Sequence, residues 1–165
     1  MSTVVFPKAV GSCLDKCCEP QESRRKVRIL LVEDNPMDVL LLTKLIADQG
    51  GMVTVCRTIA ELKKIDLNSF DFALMALSLP DSVSEETLQV VKDMPIPRVV
   101  ITGRCYPDVA YAAGRMGVPV IIKHSGNMDC EMIARNVMGM AEAYAEQNHE
   151  LEELRVILKA RTEPR

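Results

Sequence analysis

The sequence predicts a doubly wound α/β domain, a five-stranded parallel sheet with helices on both faces. Two observations carry this. Short apolar runs alternate five times with stretches of helical periodicity, and a strand–helix–strand alternation joined by right-handed crossovers makes the strands parallel. The runs are also nearly continuous rather than alternating, which is the pattern of strands buried on both faces. The length of 165 residues fits one domain with short tails.

The elements follow in order. Val27-Arg28-Ile29-Leu30-Leu31-Val32 reads as the first strand and stops at Glu33-Asp34-Asn35-Pro36. Asn before Pro is a helix start, with Pro preset for the first turn. Val39, Leu40, Leu42, Leu45 and Ile46 then repeat at helical spacing until Gly50-Gly51 ends the helix. Residues 52–56 predict a strand and 59–65 a short helix; 70–75 a strand and 85–91 a helix. Residues 98–102 predict a strand, 108–116 a helix, 118–122 the fifth strand, and a last helix begins near Met128.

Composition excludes several classes. Lys plus Arg is 20 against 23 for Asp plus Glu, a net charge of −3, too balanced for binding nucleic acid or a membrane surface by bulk charge. Aromatics are 4% with no Trp, which leaves no stacking platform for bases. No apolar run approaches the roughly 20 residues that span a bilayer. The expected location is the cytoplasm. Residues 1–26 read as a polar tail ending in the basic cluster Arg24, Arg25, Lys26, a solvated lead-in to the first strand. Val10-Gly11-Ser12-Cys13 is a faint lipoprotein cleavage box with no signal before it. Cys13, Cys17 and Cys18 have no His or fourth thiol nearby, so they are read as reduced thiols rather than a metal site. Cys56, inside a strand, is read as a small hydrophobe.

In such sheets function gathers at the carboxyl ends of the strands. There the sequence places Glu33 and Asp34, then Ala76-Leu77-Ser78-Leu79-Pro80-Asp81, then Thr102-Gly103, then Lys123-His124. Two carboxylates, a hydroxyl and an ammonium on one rim suit a hard divalent cation and a phosphoryl group. Asp81 is expected to cap the turn after Pro80, and Lys123 to pair with Asp34 if no metal is bound.

With these motifs the chain resembles the receiver domain of bacterial two-component response regulators. The motifs are Val32-Glu33-Asp34-Asn35-Pro36, Leu77-Ser78-Leu79-Pro80-Asp81, Val100-Ile101-Thr102-Gly103 and Ile122-Lys123. The resemblance covers residues 27–143 and implies the flavodoxin-like strand order 2-1-3-4-5. It implies Mg²⁺ at Glu33 and Asp34, and phosphate contacts from Thr102 and Lys123. It also marks departures. Where the family has its phosphoacceptor Asp, at the end of the third strand, this chain has Ala76. Where it has a switch aromatic, three residues before the lysine, this chain has Val120. A methyl group neither attacks a phosphoryl donor nor completes a metal shell, so the implied Mg²⁺ site is weakened. Two origins stay open: Ala76 is native to a receiver that signals by binding alone, or it replaces Asp in an otherwise working receiver. Ser78 and Asp81 are poor substitute acceptors, for neither has an activating base placed by sequence.

Helical periodicity continues past the point where the family's last helix ends. Met140, Tyr144, Gln147, Leu151, Leu154 and Leu158 form a seven-residue repeat, with Glu146, Glu150, Glu152 and Glu153 off the stripe. Residues 144–165 are therefore read as a helical extension for self-association or docking, with folding back onto the domain as the other outcome. No effector motif follows. The reading is a stand-alone, non-enzymatic, receiver-like signalling protein that acts by protein–protein contact. Its partner is a histidine kinase, a phosphotransfer protein or a downstream effector, or a second copy through the last helix, and neither nucleic acid nor membrane. The fourth-helix side, used by the family for partners, and Met116, Met128, Met132, Met138 and Met140 fall in this half. A small-molecule site of the flavin type is disfavoured, because the strand-end loops carry acids where a phosphate cradle needs Gly and backbone donors.

Overall fold

The computed structural model describes residues 25–104, 106–123 and 127–162. Most of the 1–26 tail, with Cys13, Cys17 and Cys18, and also His124, lies outside the described residues. The strands are β1 Arg28–Val32, β2 Met52–Cys56, β3 Phe72–Ala76, β4 Arg98–Thr102 and β5 Val120–Ile122. The helices are α1 Pro36–Asp48, α2 Ile59–Leu62, α3 Ser84–Lys92, α4 Pro107–Met116 and α5 Asn127–Thr162. All strand pairs are parallel and the order is β2-β1-β3-β4-β5. This is the predicted doubly wound sheet.

Strand position explains strand composition. β3 is central and every residue of Phe-Ala-Leu-Met-Ala is buried, since helices cover both its faces. β2 lies at an edge, and its Met52 and Thr54 are exposed while Cys56 is buried. Right-handed crossovers send α1 and α5 to one face and α2, α3 and α4 to the other. Accordingly α1 packs on α5 and α3 on α4.

Local chemistry sets the boundaries. Asn35 Oδ1 accepts from Met37 N at 2.9 Å, capping α1 while Pro36 occupies its first turn. At the other end Gly50 takes a left-handed φ of 89°, which lets Gly51 N donate to Ile46 O at 3.0 Å. Gly51 is also sterically required. A Cβ there would lie 2.6 Å from Ile46 Cγ2 and 2.9 Å from Met138 Sδ of α5.

Three predicted boundaries move by at least two residues. β3 starts at Phe72 rather than Phe70, because the Asp71 carboxylate turns to Arg28, accepting from its backbone N at 2.8 Å and from its guanidinium. β5 starts at Val120 rather than Val118, because Val118 N closes the end of α4 on Ala113 O at 3.0 Å. α2 stops at Leu62; its exit tightens through Ile65 N to Leu62 O, and a 3₁₀ turn capped by Asp66 follows. The last helix is a single element from Asn127 to Thr162, so the extension does not fold back. Of the methionines in this half, Met138 is buried, Met116 and Met140 are half-buried and Met132 is exposed.

Candidate functional site: the carboxyl-end rim

The rim begins where β1 runs out. Glu33 N still donates to Cys56 O at 3.0 Å, extending the ladder by one residue and drawing the Glu33 side chain inward, where it is 3% exposed. Its Oε1 accepts from Asn35 N at 3.1 Å, and its Oε2 accepts from Lys123 Nζ at 3.2 Å. Lys123 is held at the end of β5 by its backbone N, which donates to Thr102 O at 2.7 Å. The same ammonium donates to Asp38 Oδ2, in the first turn of α1, at 2.5 Å. One cation thus bridges two carboxylates that reach it from β1 and α1.

This corrects two sequence expectations. Lys123 meets Glu33 and Asp38, not Asp34. Glu33 and Asp34 do not act together: Glu33 is buried and Asp34 is exposed, with no polar side-chain partner among the described residues. Adjacent residues leaving a strand point to opposite sides. Asp38 lies three residues after the Asn35 cap, where its side chain turns back over the strand ends. Sequence reasoning missed Asp38. The signal was an acid in the first turn of a helix, which also has a plain dipole explanation.

Electrostatics follow from burial and pairing. Burial raises the Glu33 carboxyl above the usual range, and the Asn35 N–H and the Lys123 charge only partly offset it. For Lys123, burial pushes the ammonium down, but its hydrogen bond to Asp38 and the charge of Glu33 outweigh this, so its pKa is raised. The ammonium stays charged between its two acids.

The remaining rim residues make no side-chain bond to this centre among the described residues. Ala76, the last residue of β3, is 5% exposed and pairs in register with Ile101. Its methyl offers neither nucleophile nor ligand. Thr102 Oγ1 donates to Arg104 O at 2.7 Å and accepts from Arg104 N at 3.3 Å, so the hydroxyl folds onto its own loop. Val120, at the start of β5, is half-buried. Ser78 is exposed, with no side-chain partner among the described residues. Asp81 does not cap the turn after Pro80. Its two carboxylate oxygens accept from Ile59 N at 3.0 Å and Ala60 N at 2.9 Å, clamping the start of α2 from across the rim. These backbone donors, Ile59 first, hold its pKa below the usual range despite an opposing desolvation.

The Mg²⁺ implied by the resemblance would meet the weakened donor set that the sequence predicts. Among the described residues no group of three or more His, Cys, Asp or Glu side chains could hold an ion. The inward carboxylates of Glu33 and Asp38 already share the Lys123 ammonium. A hard, reluctantly dehydrated cation would have to displace it.

The stripe on α5 divides. Met140 packs against the core, and the Tyr144 ring lies 6.1 Å from that of Phe72. Leu151, Leu154 and Leu158 are 54%, 55% and 60% exposed. His149 is exposed beside Glu153 at 3.5 Å.

Comparison with known proteins places this geometry. No family model matches the chain. A response regulator receiver domain protein (CheY-like) from Methanospirillum hungatei superposes with a TM-score of 0.63 at 20% identity, covering 74% of this chain and 99% of that one. A chain in which a trimeric coiled-coil segment of yeast Spc42 is fused to another protein superposes at 0.61 and 18% identity, covering 86% of this chain and 97% of that one. In sequence, the chain is 30% identical over 128 residues to the sensor histidine kinase GacS of Pseudomonas protegens. That match takes in 72% of this chain but 13% of the kinase. The fold is that of a CheY-like receiver domain. More narrowly, the sequence is similar to a receiver-sized piece of GacS-type sensor kinases. No helix among the described residues is long and apolar enough to cross a membrane.

Proposed function

We propose that this chain is a receiver-like signalling domain that works through protein–protein contact and takes no phosphoryl group at the usual strand-end position. One observation carries the reading. Ala76 ends β3, where a receiver of this fold would hold its acceptor, and on the same strand-end rim Lys123 is bonded to both Glu33 and Asp38. Accepting phosphate needs a nucleophile and a cation to gather the phosphoryl oxygens. Here the nucleophile is a methyl group, and the carboxylates are satisfied within the protein. The partner belongs to the same phosphorelay class, a histidine kinase, a phosphotransfer protein or a downstream effector, as the likeness to GacS suggests. The exposed part of α5 is the association surface.

Thr102 and Lys123 still stand at the ends of β4 and β5. This favours a second reading, a working receiver in which Ala76 replaces Asp. Intact-protein mass after acetyl phosphate and Mg²⁺, on this chain and on Ala76→Asp, decides between them. We expect no gain on either. A phosphoryl group on Ala76→Asp alone would make the second reading the better one, and a phosphoryl group on the unmodified chain would sink both.

A further inference from the structure

α5 carries two stripes: its own domain buries one and takes up only the start of the other. Cys130, Ala134, Val137 and Ala141 are buried in the core. Met140, Tyr144, Gln147, Leu151, Leu154 and Leu158 form the second; Met140 precedes Ala141 by one residue, which sets this stripe about 100° round the helix from the first. The domain therefore takes up the start of this second stripe, at Met140 and Tyr144, and leaves Gln147, Leu151, Leu154 and Leu158 uncovered. Beyond Ala145 the stripe runs into solvent.

We propose that Gln147, Leu151, Leu154 and Leu158 are the seam of a parallel, in-register, two-stranded coil between two copies of this chain. This rests on the reading of α5 as the association surface, and it adds the occupant and its orientation. Two features select a parallel second copy. With Leu151 and Leu158 at a positions, and Gln147 and Leu154 at d positions, a parallel coil sets Gln147 against the partner's Gln147, where the two amides bond to each other. An antiparallel coil sets a against d, so Gln147 would meet the partner's Leu158 and leave a buried amide unsatisfied.

Charge agrees. Glu150 falls at g and Arg155 at e, so in a parallel coil each Glu150 faces Arg155 of the partner subunit, twice per dimer. In the antiparallel arrangement Glu150 would face the partner's Ile157. Arg155 reaches Glu152 of its own helix at 3.2 Å with both side chains exposed, a pair easily exchanged. Related by a two-fold axis along the coil, the two domains lie to opposite sides. The seam spans under two heptads, so the dimer is weak and reversible.

Sedimentation equilibrium of the full chain over a broad concentration range tests this. A monomer–dimer equilibrium is expected. Leu151→Glu with Leu154→Glu should weaken it roughly 100-fold or more, from lost apolar burial. Val156→Glu, at an exposed position outside the seam, should leave it unchanged. Glu150→Arg and Arg155→Glu should each weaken self-association about five-fold, and an equal mixture of the two variants should regain it, because every facing pair is then matched. A chain that stays monomeric, a dimer that survives the double Glu variant, or a trimer would overturn the proposal. No recovery on mixing would overturn the parallel orientation. None of these readouts depends on phosphoryl transfer, so the two tests fail independently.

Discussion

The carboxyl-end rim and the distal half of α5 treat their chemical groups in opposite ways. At the rim the inward polar groups of the described residues are answered inside the protein: Glu33 and Asp38 by Lys123, Thr102 by Arg104, and the start of α2 by Asp81. Along distal α5, large apolar side chains stand in water. Burying a charge is costly unless it is paired, whereas exposing a Leu forfeits burial that another surface can restore. The rim thus satisfies its charges internally, whereas distal α5 leaves an apolar stripe exposed.

The largest effect should come from opening the rim. Lys123→Met leaves two acids facing each other, one of them buried, and should cost about 3 kcal/mol in urea unfolding. Adding Glu33→Leu should recover much of this, since a buried ion pair replaced by apolar groups is often nearly neutral. The pH dependence has a definite sign. The pKa of Lys123 is raised in the fold, so its contribution is complete below 10.5 and is lost as pH climbs above that value. Lys123→Met should abolish that alkaline loss. Glu33 is raised too, so its contribution is present below 4.5 and is lost as pH rises through its higher folded value. Removing Lys123 should move that loss to higher pH.

A middle-sized effect should mark the proximal half of α5, where it packs on α1. Gly51→Ala drives a methyl into Ile46 and Met138, and should cost about 1–2 kcal/mol by overpacking. The smallest effect belongs to distal α5. Leu154→Ser should change the unfolding free energy of dilute, monomeric protein by less than about 0.5 kcal/mol, while still weakening association. A large loss of monomer stability there would erase the contrast between the two regions.

How much of this was legible in sequence differs by region. Strand and helix order followed from apolar runs and helical spacing, because a buried parallel strand and an amphipathic helix each impose their own period. The start and end of α1 were readable from Asn35-Pro36 and Gly50-Gly51, whose side chains, or lack of them, act on neighbouring backbone. The rim was half legible. Glu33, Ala76, Thr102 and Lys123 were located at their strand ends, but the partner of Lys123 was misplaced at Asp34, and the role of Asp81 was assigned to its own turn.

Those misses share one cause. Lys123 and Asp38 are 85 positions apart, and Asp81 and Ile59 are 22 apart, so no local period links them. Asp34 and Asp38 are both acids near the first strand end. Only the way α1 sits on β1 decides which of them turns inward. On α5 the heptad stripe was visible in sequence, yet its neighbour one residue round the helix is the one buried in the core. Local patterning determined which segments form strands and helices and where they end, because backbone hydrogen bonding and side-chain period act over a few residues. Tertiary packing alone decided which acids share Lys123 and which face of α5 stays in water, because those outcomes depend on how separate elements are turned toward one another.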